Sequence, residues 1–470
     1  MRQLSGLDAL YLNMEMPEQP MQVITLGLLR VRTGAPLTLE DLHRHITARL
    51  DQLPALRCRV VPVLLGLANP VLVEDAHFDL AQHVRHAVLP QPGGLPELDA
   101  ACAQLVSQRL DRDRPLWRIT LIDRLADGRQ ALVLEVHHAL MDGFATRITL
   151  ARIFSDELPG SPAPWQPGPM PGLGRLVTRA LTHNAQALVR LPGLVGRTRR
   201  ATVAVRQRRA RAAVKAPEAG ADTPLSTINQ GFTPERRFAR ASLPLDDVLA
   251  VKDGAGVTVN DVALALVGGA LRGYLQARSA LPDRSLVAGV PVGIEAPGAT
   301  PRAEGNRVSG LITSLATDVA DPWERLQRIR AVTTEAKACL DLAGRELGED
   351  WLECVPPILS GPLARRSQVA RRHPGRKPAR LDVNVVVSNI RGPSVPWHLE
   401  STVVEEMYVA GPPNGGVGVT FALWDYAGRL LFGILSVAES IDDPGELAMR
   451  LSRSLEELVA AAEFRRVPTT

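Results

Sequence analysis

Two adjacent histidines end an apolar stretch and open the run His137-His138-Ala139-Leu140-Met141-Asp142-Gly143. A neutral imidazole can take a proton from an alcohol, because its ordinary pKa lies at roughly 6.5. Neighbours in a strand point to opposite faces, so one histidine of the pair faces a substrate. Asp142 lies one helical turn on, where a carboxylate can orient the loop through backbone N–H groups or an arginine. Gly143 allows backbone geometry that a Cβ would forbid. A buried histidine pair followed by an Asp-Gly turn is the plainer reading, and both stay open here. A metal site lacks a third ligand at recognisable spacing. A serine nucleophile lacks the G-x-S-x-G elbow.

Strands and helices must hold this run in place. Residues 21–31 read as a strand, as do 60–65, 71–74, 117–122 and 131–137. Helical spacing marks 39–50 and 95–110. Proline then crowds 159–171, which reads as a linker. A long arginine-rich helix is expected over 173–214, followed by a polar break at 216–224. Beyond it come helices near 248–252, 259–275, 322–342 and 446–462, and strands at 286–292 and 383–388. Residues 418–423 and 430–437 form an expected hairpin about Ala427-Gly428. The expected organisation is two α/β halves, 1–158 and 226–470, joined by a connector at 159–225.

Composition excludes other classes. The 470 residues, 45% hydrophobic and 22% charged, describe a globular chain with room for a large core. The four cysteines, Cys58, Cys102, Cys339 and Cys354, are scattered, which argues against a disulfide framework or structural zinc and for a reduced, cytoplasmic compartment. No secretory signal or membrane-spanning apolar run is evident. The net charge of +4 is almost wholly arginine and comes without a nucleic-acid motif.

Several stretches in order resemble the bacterial wax ester synthase/diacylglycerol acyltransferases. They begin with LSGLDALYLNMEMPEQPMQV and continue through Pro115-Leu116-Trp117 and the HHxxxDG run. Asn229 with Arg236-Arg237, Val259-Asn260-Asp261-Val262, Gly305-Asn306, Asp321-Pro322 and NVVVSNIRGP at 384–393 follow. One element departs: the family's Ser-Tyr-x-Gly is Asp425-Tyr426-Ala427-Gly428 here.

The resemblance implies an α/β (α+β) fold of two chloramphenicol-acetyltransferase-like halves with a substrate tunnel between them. It implies an O-acyltransferase that joins a long-chain alcohol or diacylglycerol to the acyl group of acyl-CoA, a co-substrate, with no metal and no other cofactor. His138 would be the general base, in a catalytic run with His137, Asp142 and Gly143. Pro115, Leu116, Trp117, Asn260, Asp261, Ser388 and Asn389 would line the tunnel or support it. For Asn260 and Asp261 the residues favour helix capping and support. Ser388 and Asn389 are read equally as oxyanion donors or as a turn after a buried strand.

The connector pairs apolar residues at helical spacing with arginines that include Arg199, Arg200, Arg208 and Arg209. That pattern suits peripheral docking on the inner membrane face or on lipid droplets. Two other functions use the same features. One is a condensation-type enzyme with a carrier-bound acyl donor. The other is an inactive lipid-surface binding protein.

Overall fold

The computed structural model describes residues 1–154, 165–229, 233–295, 298–369 and 381–466. The expected boundary at 158/159 and the first prolines of the linker lie outside these residues. Strand Gln130–His137 is buried along its whole length. It lies between strands Gln22–Val31 and Trp117–Asp123, antiparallel to both. Such a central strand reads as an apolar run rather than an alternation. Its one carboxylate, Glu135, is buried and accepts two 2.7 Å hydrogen bonds from Arg118.

Two six-stranded sheets form the molecule. In chain ranges, the first runs 398–399, 402–410, 22–31, 130–137, 117–123 and 84–88. The second runs 308–314, 287–293, 385–390, 419–426, 429–437 and 236–244. The expected hairpin is present: Val419–Tyr426 pairs with Arg429–Val437 around Ala427-Gly428. A smaller sheet joins Arg2–Gln3, Val71–Glu74 and Cys58–Val61.

The halves exchange chain. Strand Thr402–Ala410 lies in sequence between Val385–Ile390 and Val419–Tyr426 of the second sheet, yet it pairs with Gln22–Val31 of the first. Its entry is held by aromatic packing. Trp397 stacks on Phe154 of the first half at 5.7 Å and meets Trp424 of the second edge-on at 5.6 Å. Contacts of this kind contribute about 0.5–1.5 kcal/mol each beyond the area they bury. The Tyr426 hydroxyl donates to Val404 O and accepts from Trp397 N, both at 2.8 Å.

The connector helix spans Leu173–Arg211. Its first turns bury Leu176 and Ala180 against Val61, Val63, Val71 and Val73. Its later turns are tied to the second half: Trp351 Nε1 donates to Thr198 Oγ1 at 2.9 Å, and Arg208 makes a two-pronged pair with Glu335. No single described helix is long and apolar enough to cross a membrane.

Candidate active site

His138 follows directly on its strand, and its N–H donates to Met21 O at 2.8 Å. Its ring stacks on Tyr11 with centroids 4.1 Å apart. Its Nδ1 lies 3.2 Å from Asn306 Oδ1. The orientation of the Asn306 amide follows from its other bonds. Its Nδ2 donates to Asp8 Oδ1 and to His138 O, both at 2.8 Å, so its oxygen must be the atom facing the ring. The hydrogen of His138 therefore sits on Nδ1, and Nε2 carries the lone pair. Among the described residues nothing hydrogen-bonds Nε2. Burial lowers the pKa of His138 below the usual imidazole range, outweighing the nearby Asp142 carboxylate.

Asp8 shows how a local signal reaches the site. Ser5 and Asp8 form a capping box on helix Gly6–Met14, with Ser5 N donating to Asp8 Oδ2 at 3.0 Å. The other oxygen, Oδ1, accepts from Asn306 N at 2.9 Å and from its Nδ2. The helix cap and the histidine contact thus share one carboxylate.

Asp142 caps helix Gly143–Ile153, accepting from Ala145 N at 2.9 Å. Its second oxygen accepts from Arg307 N at 2.9 Å and pairs with Arg302, which also pairs with Glu295. Burial opposes the charge on Arg302, but the two carboxylates outweigh it and raise its pKa. The backbone knits the same loops together: Gly305 N donates to Leu140 O, and Asp142 N donates to Gly305 O at 3.3 Å. The run between the histidines and Gly143 is thereby fastened to the second half. Gly143 itself has no unusual backbone angle. A Cβ there would sit 2.8 Å from Ile390 Cδ1, so close packing across the halves is its physical reason, not conformational freedom.

A cavity of about 700 Å³ lies between the halves. Tyr11, His138, Asp142, Gly143 and Phe144 line it from the first half; Val308, Val386, Ser388, Asn389, Ile390 and Phe421 line it from the second. The volume falls within the roughly 300–1,000 Å³ usual for small-molecule sites, and the walls are mostly apolar. Asp425 stands where the related motif has serine. It accepts from Gly392 N at 2.6 Å and holds the turn that follows Ser388 and Asn389.

Other residues singled out in the sequence lie elsewhere. His137 is fully buried, accepts from Ala139 N through Nδ1 at 3.0 Å, and places Nε2 3.5 Å from Glu15. It faces away from the cavity, as alternation along the strand requires. Leu116 and Trp117 are core residues outside the cavity lining; Trp117 stacks on His83, and its Nε1 donates to Leu56 O at 2.6 Å. Pro115 is buried beside them, also outside the lining. Asn260 and Asp261 open helix Val259–Ala277 away from the cavity. Thr258 caps that helix in a reciprocal box with Asp261, and Thr333 Oγ1 donates to Asp261 Oδ1 at 2.6 Å.

Asp8, Tyr11, Arg302 and Asn306 belong to the site although no chemistry was read from them in the sequence. The Ser5-x-x-Asp8 spacing is a local signal for a helix cap, not for a contact with a histidine. Asn306 lies 168 positions from His138, so no local pattern connects the two.

Residues 4–263 match the wax ester synthase/diacylglycerol acyltransferase catalytic domain, and residues 304–459 match the C-terminal domain of the same family. A Mycobacterium tuberculosis protein named a diacylglycerol O-acyltransferase is 32% identical, over all of this chain and 99% of its own length. The wax ester synthase/diacylglycerol acyltransferase from Marinobacter aquaeolei VT8 superposes with a TM-score of 0.69 at 30% identity, covering 98% of this chain and all of that one. The first condensation domain of the CDA synthetase shares the fold alone, with a TM-score of 0.58 at 15% identity over 98% of this chain and 96% of that one. The chain belongs to the wax ester synthase/diacylglycerol acyltransferase family and is an O-acyltransferase.

Proposed function

We propose that the protein transfers a fatty acyl group from acyl-CoA to a long-chain alcohol or a diacylglycerol, with His138 as the general base. The observation that carries this reading is the fixed tautomer of His138, whose Nε2 lone pair is left without a protein partner at an apolar cavity between the halves. Nε2 takes the proton of the acceptor hydroxyl as its oxygen attacks the thioester carbonyl. A tetrahedral intermediate forms and the C–S bond breaks. The imidazolium returns its proton to the departing thiolate, which leaves CoA and an ester. A positioned base of this kind contributes typically ~10²–10⁴-fold. Holding both substrates in one cavity supplies much of the remainder.

Asp142 acts as a positioning residue. It caps the helix behind the loop and binds Arg302, so the loop cannot swing without breaking a half-buried ion pair. Ser388 and Asn389 line the cavity, and their side chains carry donors that could serve the developing oxyanion. The chemistry needs no metal.

The acceptor and the product are lipids, and the protein offers a surface for them. Leu181, Leu188 and Val189 of the connector helix are exposed. The turn Leu64–Gly66 packs between that helix and helix Pro357–Val369, and it exposes Leu64 and Leu65. The second helix adds exposed Ile358, Leu359 and Leu363. Arg179 and Arg190 lie on the connector helix and Arg365 and Arg366 on the other. Apolar side chains among arginines favour an anionic lipid surface. Arg208 and Arg209 of the connector helix are instead paired with Glu335 and Glu218.

Release of CoA thiol from palmitoyl-CoA, followed with hexadecanol, with dipalmitoylglycerol and without acceptor, tests the reaction. Acceptor-dependent release with a matching ester is expected. Release only from a carrier-bound acyl group would replace this reading with the condensation-type one.

A further inference from the structure

Four arginines converge on a second cavity, in the outer helices of the second half. It measures about 460 Å³ and lies between helices Val259–Ala277, Pro322–Ala343 and Pro444–Arg466. It shares no lining residue with the cavity at His138. Arg272, Arg325, Arg450 and Arg453 line it, and Glu457 is the one carboxylate among its lining residues.

Arg325 is the informative member. It is only 2% exposed. Its Nη1 donates to Val319 O at 3.0 Å, while its Nε is buried without a partner. A buried charge is costly unless an opposite charge meets it. No described carboxylate lies within ion-pair distance of Arg325 or of Arg272, which donates to Thr317 O at 2.6 Å. Arg450 pairs with Glu446 at 2.7 Å, and Arg453 reaches Glu457 only at 3.3 Å from an exposed position.

The backbone makes room for this crowding. Gly269 and Gly273 lie one turn apart on the helix that walls the cavity. A Cβ on Gly269 would sit 2.5 Å from Ser454 Oγ and 3.0 Å from Arg325 Nη2, and one on Gly273 would sit 2.6 Å from Arg450 Nη1. Each glycine inside a helix costs about 1 kcal/mol relative to alanine. Gly273 lets the Arg450 guanidinium approach, and Gly269 admits both the Ser454 side chain and the Arg325 guanidinium.

We propose that this cavity is a binding site for a phosphate-bearing anion, separate from the catalytic cavity. Guanidinium groups match phosphate oxygens in two-pronged pairs, and the ligand adds negative charge where four arginines share one lining carboxylate. The same chemistry fits a free phosphate compound or the phosphate of a lipid headgroup.

Titration calorimetry with inorganic pyrophosphate tests the free-anion arm, at constant chloride. Flotation with phosphatidylcholine vesicles, with and without phosphatidic acid, tests the lipid arm. One saturable site for pyrophosphate is expected, weakened at least about tenfold in Arg325→Gln and in Arg272→Gln, and unchanged in His138→Ala. Arg453→Gln, at an exposed position, keeps the test open if Arg325→Gln does not fold. Silence with pyrophosphate, together with phosphatidic-acid flotation lost in Arg272→Gln, assigns the site to a headgroup. Absence of both interactions, or binding that survives Arg272→Gln and Arg453→Gln combined, overturns the proposal. Catalytic failure would leave this result standing, because neither arm reads turnover.

Discussion

Asn306 presents its side-chain oxygen to His138 Nδ1 at 3.2 Å because its nitrogen is already committed to Asp8 and to the carbonyl of His138 itself. Replacing Asn306 with alanine frees the imidazole to carry its hydrogen on either nitrogen. The expected result is a fall in kcat of about 10- to 100-fold with little change in KM, since the substrate cavity is untouched. Steady-state kinetics beside a thermal melt separates this from unfolding. A parallel rise in KM with intact kcat would assign Asn306 to binding instead.

The lowered pKa of His138 sets the direction of the pH response. The base works when neutral, so activity is full at neutral pH and falls on the acid side. The midpoint is expected below the ordinary imidazole value of roughly 6.5. The pH dependence of kcat/KM in Asn306→Ala should keep an acid limb but move its midpoint, whereas His138→Ala should lose the limb. A wild-type midpoint well above the ordinary value would contradict the burial argument.

Arg302 joins Asp142 to Glu295 across the halves. Arg302→Met leaves two partly buried carboxylates without their shared cation. Breaking such a pair by removing one partner costs about 3 kcal/mol. Urea unfolding of the variant checks this, and a midpoint equal to wild type would show that the pair is dispensable.

Gly143→Ala places a methyl 2.8 Å from Ile390 Cδ1. Overpacking of this kind costs about 1–3 kcal/mol. Because the obstacle is Cγ1 and Cδ1 of one side chain, both at 2.8 Å, adding Ile390→Ala should relieve the clash and recover part of the loss in stability. Failure of that second change to help would return the explanation to the backbone.

Serine at Leu65, Ile358 and Leu359 should weaken flotation of the protein with anionic vesicles while thermal stability is kept, because all three are exposed. Equal flotation by this variant and the wild type would remove the surface from the account.

Much of this was legible before any coordinates. Strand 130–137, the long helices and the hairpin about Ala427-Gly428 follow from periodicity and turn chemistry, which are local. Opposed facing of His137 and His138 followed from the pleat alone. The crossing strand Thr402–Ala410 was missed, because a register shift between Val404 and Glu406 breaks its alternation and nothing local says which sheet it joins. Asn306 and Arg302 were out of reach for a related reason. Their partners, His138 and Asp142, are brought to them by packing of the halves. Gly143 was read as a need for backbone freedom, and only the neighbouring Ile390 revealed a need for space.

The central claim is that His138 moves the proton of the acceptor hydroxyl. Wild type and His138→Ala should be compared for acceptor-dependent thiol release from palmitoyl-CoA, with ester products resolved and both proteins verified as folded. The account predicts that the variant loses ester formation by about 10²-fold or more while its melting temperature stays near that of the wild type. Ester formation by folded His138→Ala at close to the wild-type rate would contradict it.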